Sequence, residues 1–180
     1  MKVTPTAIPD VLLLEPRVFG DERGFFLESY NKRVFEELTG WRGEFVQDNH
    51  SRSGRGVLRG LHYQIEQAQG KLVRVARGTI YDVVVDLRRS SPTFGRWVGV
   101  TLDAASQGQL WIPPGLAHGF QVTSDSADLL YKTTDYYAPA AERCLAWNDP
   151  QLAIAWPIAD PILSAKDQAG KRLSEVETYR

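Results

Sequence analysis

The chain has 180 residues, of which 43% are hydrophobic, so a single domain can bury a sizeable core without disulfides or a structural metal. Its 21 Lys and Arg residues against 22 Asp and Glu give a net charge of −1, which argues against nucleic-acid or membrane-surface proteins that bind through a basic face. No apolar run approaches the ~20 residues of a membrane span. The apolar block at residues 11–14 is too short for a signal peptide, so we expect a cytoplasmic protein. The single cysteine, Cys144, excludes an intrachain disulfide.

One helix is predicted over Lys32–Thr39. Asn31 can cap its first turn, an apolar stripe runs along one side, and Gly40 stands where a C-terminal glycine belongs. A second, short helix is predicted to start at Ser164, which would place Asp167 in its first turn. The first helix is expected to be peripheral, because strand signals dominate the rest of the chain.

Strand signals dominate from residue 44 onward and recur every 8 to 15 residues. The turn signals between them are too short to hold crossover helices between parallel strands, so we predict an antiparallel all-β sandwich or barrel. The chain contains no internal repeat and no low-complexity linker, so residues 1–180 are expected to form one domain. The predicted strands cover residues 72–76, 80–87, 96–102, 109–112, 119–123 and 129–134.

A polar stretch with strand character, Leu58–Gln64, carries the first candidate site residues. Strict alternation would place Arg59 on one face and His62 on the other, but nearby glycines favour a bend or bulge and leave the faces open. A solvated position on the rim of a barrel is the plain alternative for both side chains. Together with Lys71, however, they put an Arg, a His and a Lys within thirteen residues, which suits a cleft that binds a phosphate near an imidazole.

A second constellation, the Pro-x-Gly-x-x-His pattern that ends at His118, resembles the second sequence motif of the cupin superfamily of small β-barrels. Metal-binding cupins carry a His-x-His pair with a following Glu, whereas the corresponding place here reads His62-Tyr63-Gln64. At most His62 and His118 remain as nitrogen ligands, so no functional metal is expected. A metal-dependent cupin is an alternative that chelation would test.

Five ordered segments together resemble the successive motifs of the dTDP-4-dehydrorhamnose 3,5-epimerase family, and the resemblance spans nearly the whole chain. The five segments are GFFLESY at 24–30, FVQDNHS at 45–51, LRGLHYQ at 58–64, PPGLAHGF at 113–120 and LSAKD at 163–167. Their shared order and spacing are far more specific than the cupin pattern alone.

The resemblance implies an all-β cupin jelly roll in a homodimer whose N-terminal segment reaches the partner's barrel, with no metal and no organic cofactor. It also implies epimerisation of dTDP-4-dehydro-6-deoxy-D-glucose at C3 and C5 to dTDP-4-dehydro-L-rhamnose, in dTDP-L-rhamnose biosynthesis. Two alternatives stay open. A relative that inverts only C3 or only C5 would share these motifs, and a non-catalytic module could bind sugar nucleotides, although it would not need a base, an acid and a carboxylate together.

The resemblance also assigns roles to positions of this sequence. His62 matches the general base and Asp167 the carboxylate paired with it. Tyr131 matches the proton donor on the opposite face, and Lys71 matches the cation near the ketone oxygen. Arg23 and Arg59 match contacts to the diphosphate. The further positions that match residues lining the nucleotide-sugar site are Glu28, Gln47, Asn49, His118, Glu142 and Lys166.

The chemistry itself requires groups of these types. A C4 ketone acidifies the hydrogens on C3 and C5, so one base can serve both, and a histidine with an ordinary pKa of about 6.5 is largely neutral near pH 7. A carboxylate at Asp167 would orient the ring and stabilise the imidazolium, and inversion needs a second acid across the sugar. Aromatic side chains could stack on the thymine or the sugar, although an aromatic residue in a β-sandwich is more often core. The candidates are Phe19, Phe26, Tyr136 and Tyr137.

Overall fold

The computed structural model describes residues 1–180 and contains 13 strands, two helices and one 3-10 turn at Pro139–Ala141. The strands are β1 (Lys2–Pro5), β2 (Leu12–Glu15), β3 (Val18–Asp21), β4 (Gly24–Leu27), β5 (Gln47–Gly54), β6 (Leu58–Gln64), β7 (Lys71–Arg77), β8 (Thr79–Asp86), β9 (Trp97–Asp103), β10 (Gln109–Ile112), β11 (Leu116–Val122), β12 (Ser126–Thr133) and β13 (Glu142–Cys144). The helices are α1 (Lys32–Thr39) and α2 (Ala165–Gln168).

Eleven strands form two sheets. The larger sheet has the order β1-β2-β10-β7-β12-β5, and the smaller sheet has the order β13-β6-β11-β8-β9. All pairs in both sheets are antiparallel. The strands β3 and β4 form a hairpin that belongs to neither sheet. The predicted antiparallel all-β architecture is therefore confirmed.

The main core lies between the two sheets. Val73, Val75 and Leu129 point inward from the larger sheet, and Val84 and Val122 point inward from the smaller one, all at most 1% exposed. Two antiparallel sheets that each present apolar side chains on one face bury them by packing face to face. These apolar side chains fill part of the space between the sheets. Polar side chains of both sheets line a cavity in the remaining part.

Two further clusters cover the outer faces of the sheets. On the smaller sheet, the C-terminal segment packs against β6, where the Tyr63 hydroxyl donates to the carbonyl of Glu177 at 2.6 Å. On the larger sheet, α1 packs Phe35 against Trp111. The predicted bounds and caps of α1 are confirmed, because the Asn31 side chain accepts from a backbone N–H and Gly40 adopts a left-handed conformation. Neither helix could span a membrane, since α1 has 8 residues and α2 has 4.

Several predicted strand bounds are wrong by a few residues. β11 and β12 begin at Leu116 and Ser126, three residues before the predicted starts at 119 and 129. Both are central strands with a neighbour on each side, so pairing extends them through residues that alone carry weak strand signals. Four short strands, β1 to β4, precede residue 44, and the sequence pattern does not define their bounds.

The bend predicted in β6 is confirmed and decides which side chains share a face. The register between β6 and β11 shifts near Gly60, whose φ of 135° lies outside the range that other residues favour. A Cβ at Gly60 would lie 2.5 Å from the Cα of Gly119 on the neighbouring strand, so the two backbones approach as only glycines allow. As a result Arg59 and His62, which strict alternation would separate, line the same cavity.

Candidate active site

A cavity of about 530 Å³ lies between the sheets, with walls from strands of both sheets and from the start of α2. Ten of the twelve site residues predicted from the sequence line this cavity. They are Gln47, Asn49, Arg59, His62, Lys71, His118, Tyr131, Glu142, Lys166 and Asp167. The fold therefore gathers residues spread over 120 positions of the chain, and the remaining two, Arg23 and Glu28, lie elsewhere.

His62 lies on β6 and pairs with a buried carboxylate. Its Nε2 is 2.7 Å from Oδ1 of Asp167, a residue that is only 3% exposed. The other ring nitrogen, Nδ1, has no partner in the protein, and because no buried polar side-chain atom lacks a partner, Nδ1 is open to the cavity. The ring is thus fixed through Nε2 while Nδ1 is free to take a proton.

Three donors hold the Asp167 carboxylate. Besides His62, the backbone N–H of Gly60 donates to Oδ1 at 3.2 Å, and Oγ of Ser164 donates to Oδ2 at 2.6 Å. Burial raises the pKa of Asp167, but the three hydrogen bonds outweigh burial and hold that pKa at about 2. The carboxylate is therefore charged at neutral pH, where it stabilises a protonated imidazole.

Tyr131 occupies the opposite wall. It lies on β12 of the larger sheet, whereas His62 lies on the smaller sheet. Its hydroxyl has no hydrogen-bond partner in the protein and is open to the cavity. Burial raises the pKa of Tyr131, although the positive charge of Arg59 opposes this. The hydroxyl therefore keeps its proton at neutral pH and is available as an acid.

Lys71 begins β7 beside Tyr131, with only 8% of the residue exposed. Burial lowers the pKa of its ammonium group to about 8, while the carboxylates of Asp82 and Glu142 act in the opposite direction. Its nearest polar partner is the carbonyl of His62, 3.5 Å from Nζ. Lys71 is therefore mostly charged at neutral pH and holds a desolvated positive charge next to the dyad.

Further charged groups lie around the rim. Nε of Arg59 donates to Oγ of Ser53 at 3.0 Å, and the two terminal nitrogens of its guanidinium have no protein partner. Glu142 accepts from Nζ of Lys166 at 2.8 Å and from the Tyr137 hydroxyl at 2.9 Å. An exposed guanidinium fixed at one nitrogen, with two others free, suits bidentate binding of a phosphate.

His118 forms a second histidine–aspartate pair on the smaller sheet. Its Nε2 lies 3.0 Å and 2.9 Å from the two carboxylate oxygens of Asp82, and Asp82 is completely buried. Across β6 and β11, His118 is the register partner of His62. Two imidazoles of the same cavity therefore lie side by side, each with its own carboxylate.

Arg23 and Glu28 lie outside the cavity of their own chain. Arg23 is at the tip of the β3–β4 hairpin and forms an ion pair with Asp21, while Glu28 accepts a hydrogen bond from Asn31. The hairpin exposes large aromatic side chains, with Phe26 70% exposed. The general expectation that aromatic residues here are core is wrong for the four candidates, because Phe19, Phe26, Tyr136 and Tyr137 are all at least half exposed.

Sequence reasoning missed several residues of the cavity. Ser51 and Gln69 line it, and Asp82 lies behind the cavity wall, where it pairs with His118. For Ser164, the sequence signal is the Ser-x-x-Asp pattern at the start of α2, which predicts the helix cap but not the contact of its hydroxyl with the Asp167 carboxylate. Asp82 lies inside an apolar strand, 36 residues from His118 along the chain, so no local sequence pattern predicts the His118–Asp82 pair.

The donor set does not fit a resident transition metal. His62, Cys144 and Asp167 have donor atoms within 4.8 Å of one another, but burial raises the pKa of the Cys144 thiol to about 11, which disfavours the thiolate that metals bind. Gln64, at the second ligand position of metal-binding cupins, uses its amide oxygen to accept from the N–H of Ala138. The amide nitrogen of Gln64 donates to two backbone carbonyls, so the side chain is fully engaged.

The chain is similar to known proteins over nearly its full length. The family model described as dTDP-4-dehydrorhamnose 3,5-epimerase matches residues 5–175. The chain belongs to the dTDP-4-dehydrorhamnose 3,5-epimerase family. Family enzymes from Pseudomonas aeruginosa and Shigella flexneri are 63% and 57% identical to it, each over 99% of both chains.

A solved structure extends the similarity to the fold. The dTDP-6-deoxy-D-glucose-3,5-epimerase of Legionella pneumophila, in complex with dTDP-4-keto-L-rhamnose, is 51% identical and superposes with a TM-score of 0.97. The superposition covers 99% of this chain and 97% of the Legionella pneumophila chain. As a member of this epimerase family the chain is an isomerase, and its two-sheet barrel is the predicted cupin jelly roll.

Proposed function

We propose that the chain converts dTDP-4-dehydro-6-deoxy-D-glucose to dTDP-4-dehydro-L-rhamnose by inverting C3 and C5, with His62 as base and Tyr131 as acid. One observation carries the assignment of the two roles. An open imidazole nitrogen and an open hydroxyl stand on facing sheets of one cavity, and the reaction needs a base and an acid on opposite faces of a sugar ring.

The reaction begins with removal of a proton next to the ketone. Nδ1 of His62 takes the hydrogen from C3 or C5, and the electron pair of the broken C–H bond moves to the C4 oxygen to form an enolate. The Asp167 carboxylate, charged and fixed by three donors, stabilises the imidazolium that results. Because C3 and C5 flank the same ketone, one base can serve both positions.

Lys71 is the group proposed to stabilise the enolate. Its ammonium group is buried beside the dyad, and a charge in such a place acts more strongly on a developing oxyanion than one in water. The neighbouring carboxylates of Asp82 and Glu142 favour its charged form. Lys71 therefore offers a preformed positive charge to the C4 oxygen.

Reprotonation from the other face completes the inversion. The Tyr131 hydroxyl delivers a proton to the carbon face that His62 does not reach, and the enolate collapses to the ketone. After each inversion the imidazolium of His62 releases its proton and the tyrosinate of Tyr131 takes one up, through solvent, before the second carbon reacts. Burial raises the pKa of Tyr131 and so favours this reprotonation. His62 alone could only return a proton to the face from which it came.

The remaining side chains are proposed to bind the nucleotide sugar. Arg59 presents two free guanidinium nitrogens to the diphosphate. Binding energy gained at the diphosphate holds the sugar between the two sheets, away from the charged rim. The other proposed contacts to substrate are Gln47, Asn49, His118, Glu142 and Lys166.

The decisive experiment follows hydrogen exchange at the two carbons. The substrate is incubated with the protein in D2O, and deuterium at C3 and C5 is read by NMR together with the configuration of the product. We expect deuterium and inversion at both carbons. Deuterium and inversion at only one would identify an epimerase for a single centre, and no exchange at either would contradict the proposed activity.

We further propose that the protein works as a homodimer in which the β3–β4 hairpin completes the partner's site. Arg23 and Glu28 match site residues of the family but lie outside the cavity of their own chain, and Phe25 and Phe26, 63% and 70% exposed, would be covered by a second copy.

Subunit complementation tests the exchange. Arg23→Ala and His62→Asn are each expected to lower turnover, but after the two variants are unfolded, mixed and refolded together, mixed dimers contain one site with both native residues. Turnover should therefore recover to a fraction of the wild-type rate. A mixture no more active than its components, or a fully active monomer in sedimentation, would contradict the arrangement.

A further inference from the structure

Ser164 makes two hydrogen bonds to one residue. Its Oγ accepts from the backbone N–H of Asp167 at 3.2 Å, which caps the start of α2, and donates to Oδ2 of the same residue at 2.6 Å. In the usual capping box, the side chain three positions after the cap turns back to the backbone N–H of the cap residue. Here that side chain is turned away, and its other oxygen pairs with His62.

The Asp167 carboxylate is therefore held at both oxygens. Oδ1 receives the donors of His62 and Gly60, and Oδ2 receives only the hydroxyl of Ser164. The torsion that turns an aspartate carboxylate has broad minima, so a carboxylate held at one oxygen can pivot, whereas one held at both cannot. Without Ser164, Oδ2 would have no protein donor.

We infer that Ser164 is a positioning residue for the catalytic dyad: its hydroxyl fixes the plane of the Asp167 carboxylate and thereby the direction of the His62 ring. This inference rests on the proposed function, in which His62 is the base. Ser164 itself is an exposed residue at the cavity wall, so its substitution leaves no hole in the core.

Two variants distinguish the hydrogen bond of the Ser164 hydroxyl to the Asp167 carboxylate from the role of Ser164 as helix cap. Ser164→Gly removes the hydroxyl but keeps a residue type that starts helices almost as well, with a loss of stability of only a few tenths of a kcal/mol. Ser164→Thr keeps a hydroxyl at the same position. Both are compared with the wild type for kcat, KM and the pH profile of kcat/KM.

We expect Ser164→Gly to lower kcat about tenfold while KM changes by less than about twofold, because the dyad loses its orientation and the diphosphate contacts remain. The acid limb of its pH profile should move to higher pH, since a carboxylate short of one donor holds the dyad proton more tightly. Ser164→Thr should restore most of the rate. A purely structural role as helix cap would leave kcat and the acid limb of both variants near the wild type, because glycine and threonine also start helices.

Equal activity of Ser164→Gly and the wild type, an unchanged acid limb, or an equal loss in both variants would overturn the inference. His62→Asn measured in parallel keeps this result distinct from a failure of the proposed function. If His62→Asn loses turnover while Ser164→Gly does not, only the role of Ser164 is wrong. If His62→Asn is active, the assignment of the base itself is wrong.

Discussion

Two histidine–aspartate pairs lie side by side in this cavity, yet their surroundings differ. The His62 side chain is 24% exposed and that of His118 only 8%. Asp167 has two donors besides its histidine, whereas the completely buried Asp82 has His118 as its only hydrogen-bond donor. The same two side chains therefore form a partly exposed pair, which suits the proposed base, and a buried pair, whose carboxylate favours the charged form of Lys71.

The largest effect should come from exchanging the two histidines for asparagine in turn. His62→Asn is expected to lower kcat on the order of 10³-fold, because it removes the base, while nucleotide binding and thermal stability stay near the wild type. His118→Asn should instead lower stability by about 1–3 kcal/mol, because it leaves the buried Asp82 without its donor, and should retain far more turnover. Kinetics, calorimetric binding of dTDP and thermal melting distinguish the two. A larger loss of turnover in His118→Asn would reverse the two roles.

Tyr131→Phe should separate proton removal from inversion. His62 remains able to exchange the substrate hydrogen on its own face, but the donor on the facing sheet is lost, so formation of inverted product should fall on the order of 10²-fold. Deuterium incorporation in D2O without inversion is the expected NMR result. If inverted product forms at nearly the wild-type rate, the donor is another group, such as Tyr137 or a water molecule.

Asp167→Asn should be milder than His62→Asn, with kcat lowered by roughly tenfold to a hundredfold, because the base remains but loses orientation and charge. The matched variant Asp82→Asn should leave proton removal at His62 intact and act mainly on Lys71. The two are compared by steady-state kinetics at neutral pH. Turnover as low as in His62→Asn would show that the carboxylate does more than orient the ring.

Lys71 should impose an alkaline limit on turnover. Burial lowers its pKa to about 8, so as the pH rises through that value the ammonium group loses its proton and the enolate loses its stabilising charge. Activity is therefore full below this pKa and declines above it. Asp82→Asn should move the decline to lower pH, because the Asp82 carboxylate favours the charged form of Lys71. A pH profile of kcat that stays flat to pH 9 would contradict this role.

Dialysis against EDTA should have the smallest effect, with no measurable loss of activity. The thiol of Cys144 is held protonated, and both His62 and Asp167 are engaged with each other, so the three-donor cluster is a poor metal site. Activity assays before and after dialysis, together with metal analysis of the protein, test this prediction. Loss of activity that a divalent ion restores would identify a metal-dependent enzyme.

Local patterns predicted the elements better than the contacts between them. The bounds of α1 followed from Asn31 and Gly40, whose roles depend only on adjacent residues. The dyad joins residues 105 positions apart, so its assignment depended on resemblance to a family. The sequence also could not predict that Arg59 lines the same cavity as His62. That placement depends on the register shift near Gly60, which requires Gly119 on the neighbouring strand.

Positions near the N-terminus show a different reason for the gap between sequence and structure. Arg23 and Glu28 were matched to the site by motif, but a single chain does not bring them there. The proposed exchange makes their place in a site a property of two chains. Neither the periodicity of one sequence nor the packing of one barrel contains that information.

The two facing sheets also bear on the direction of the reaction. In the proposed mechanism the enolate is common to both epimers, so a product molecule that re-enters the cavity presents its acidic hydrogen to Tyr131 and its other face to His62. In that direction the tyrosinate of Tyr131 removes the proton and the imidazolium of His62 donates one, so the same two groups catalyse the reverse reaction. Such a protein sets how fast the epimers interconvert, whereas their relative free energies set which one accumulates. Sustained flow towards one epimer therefore requires a later reaction that consumes it.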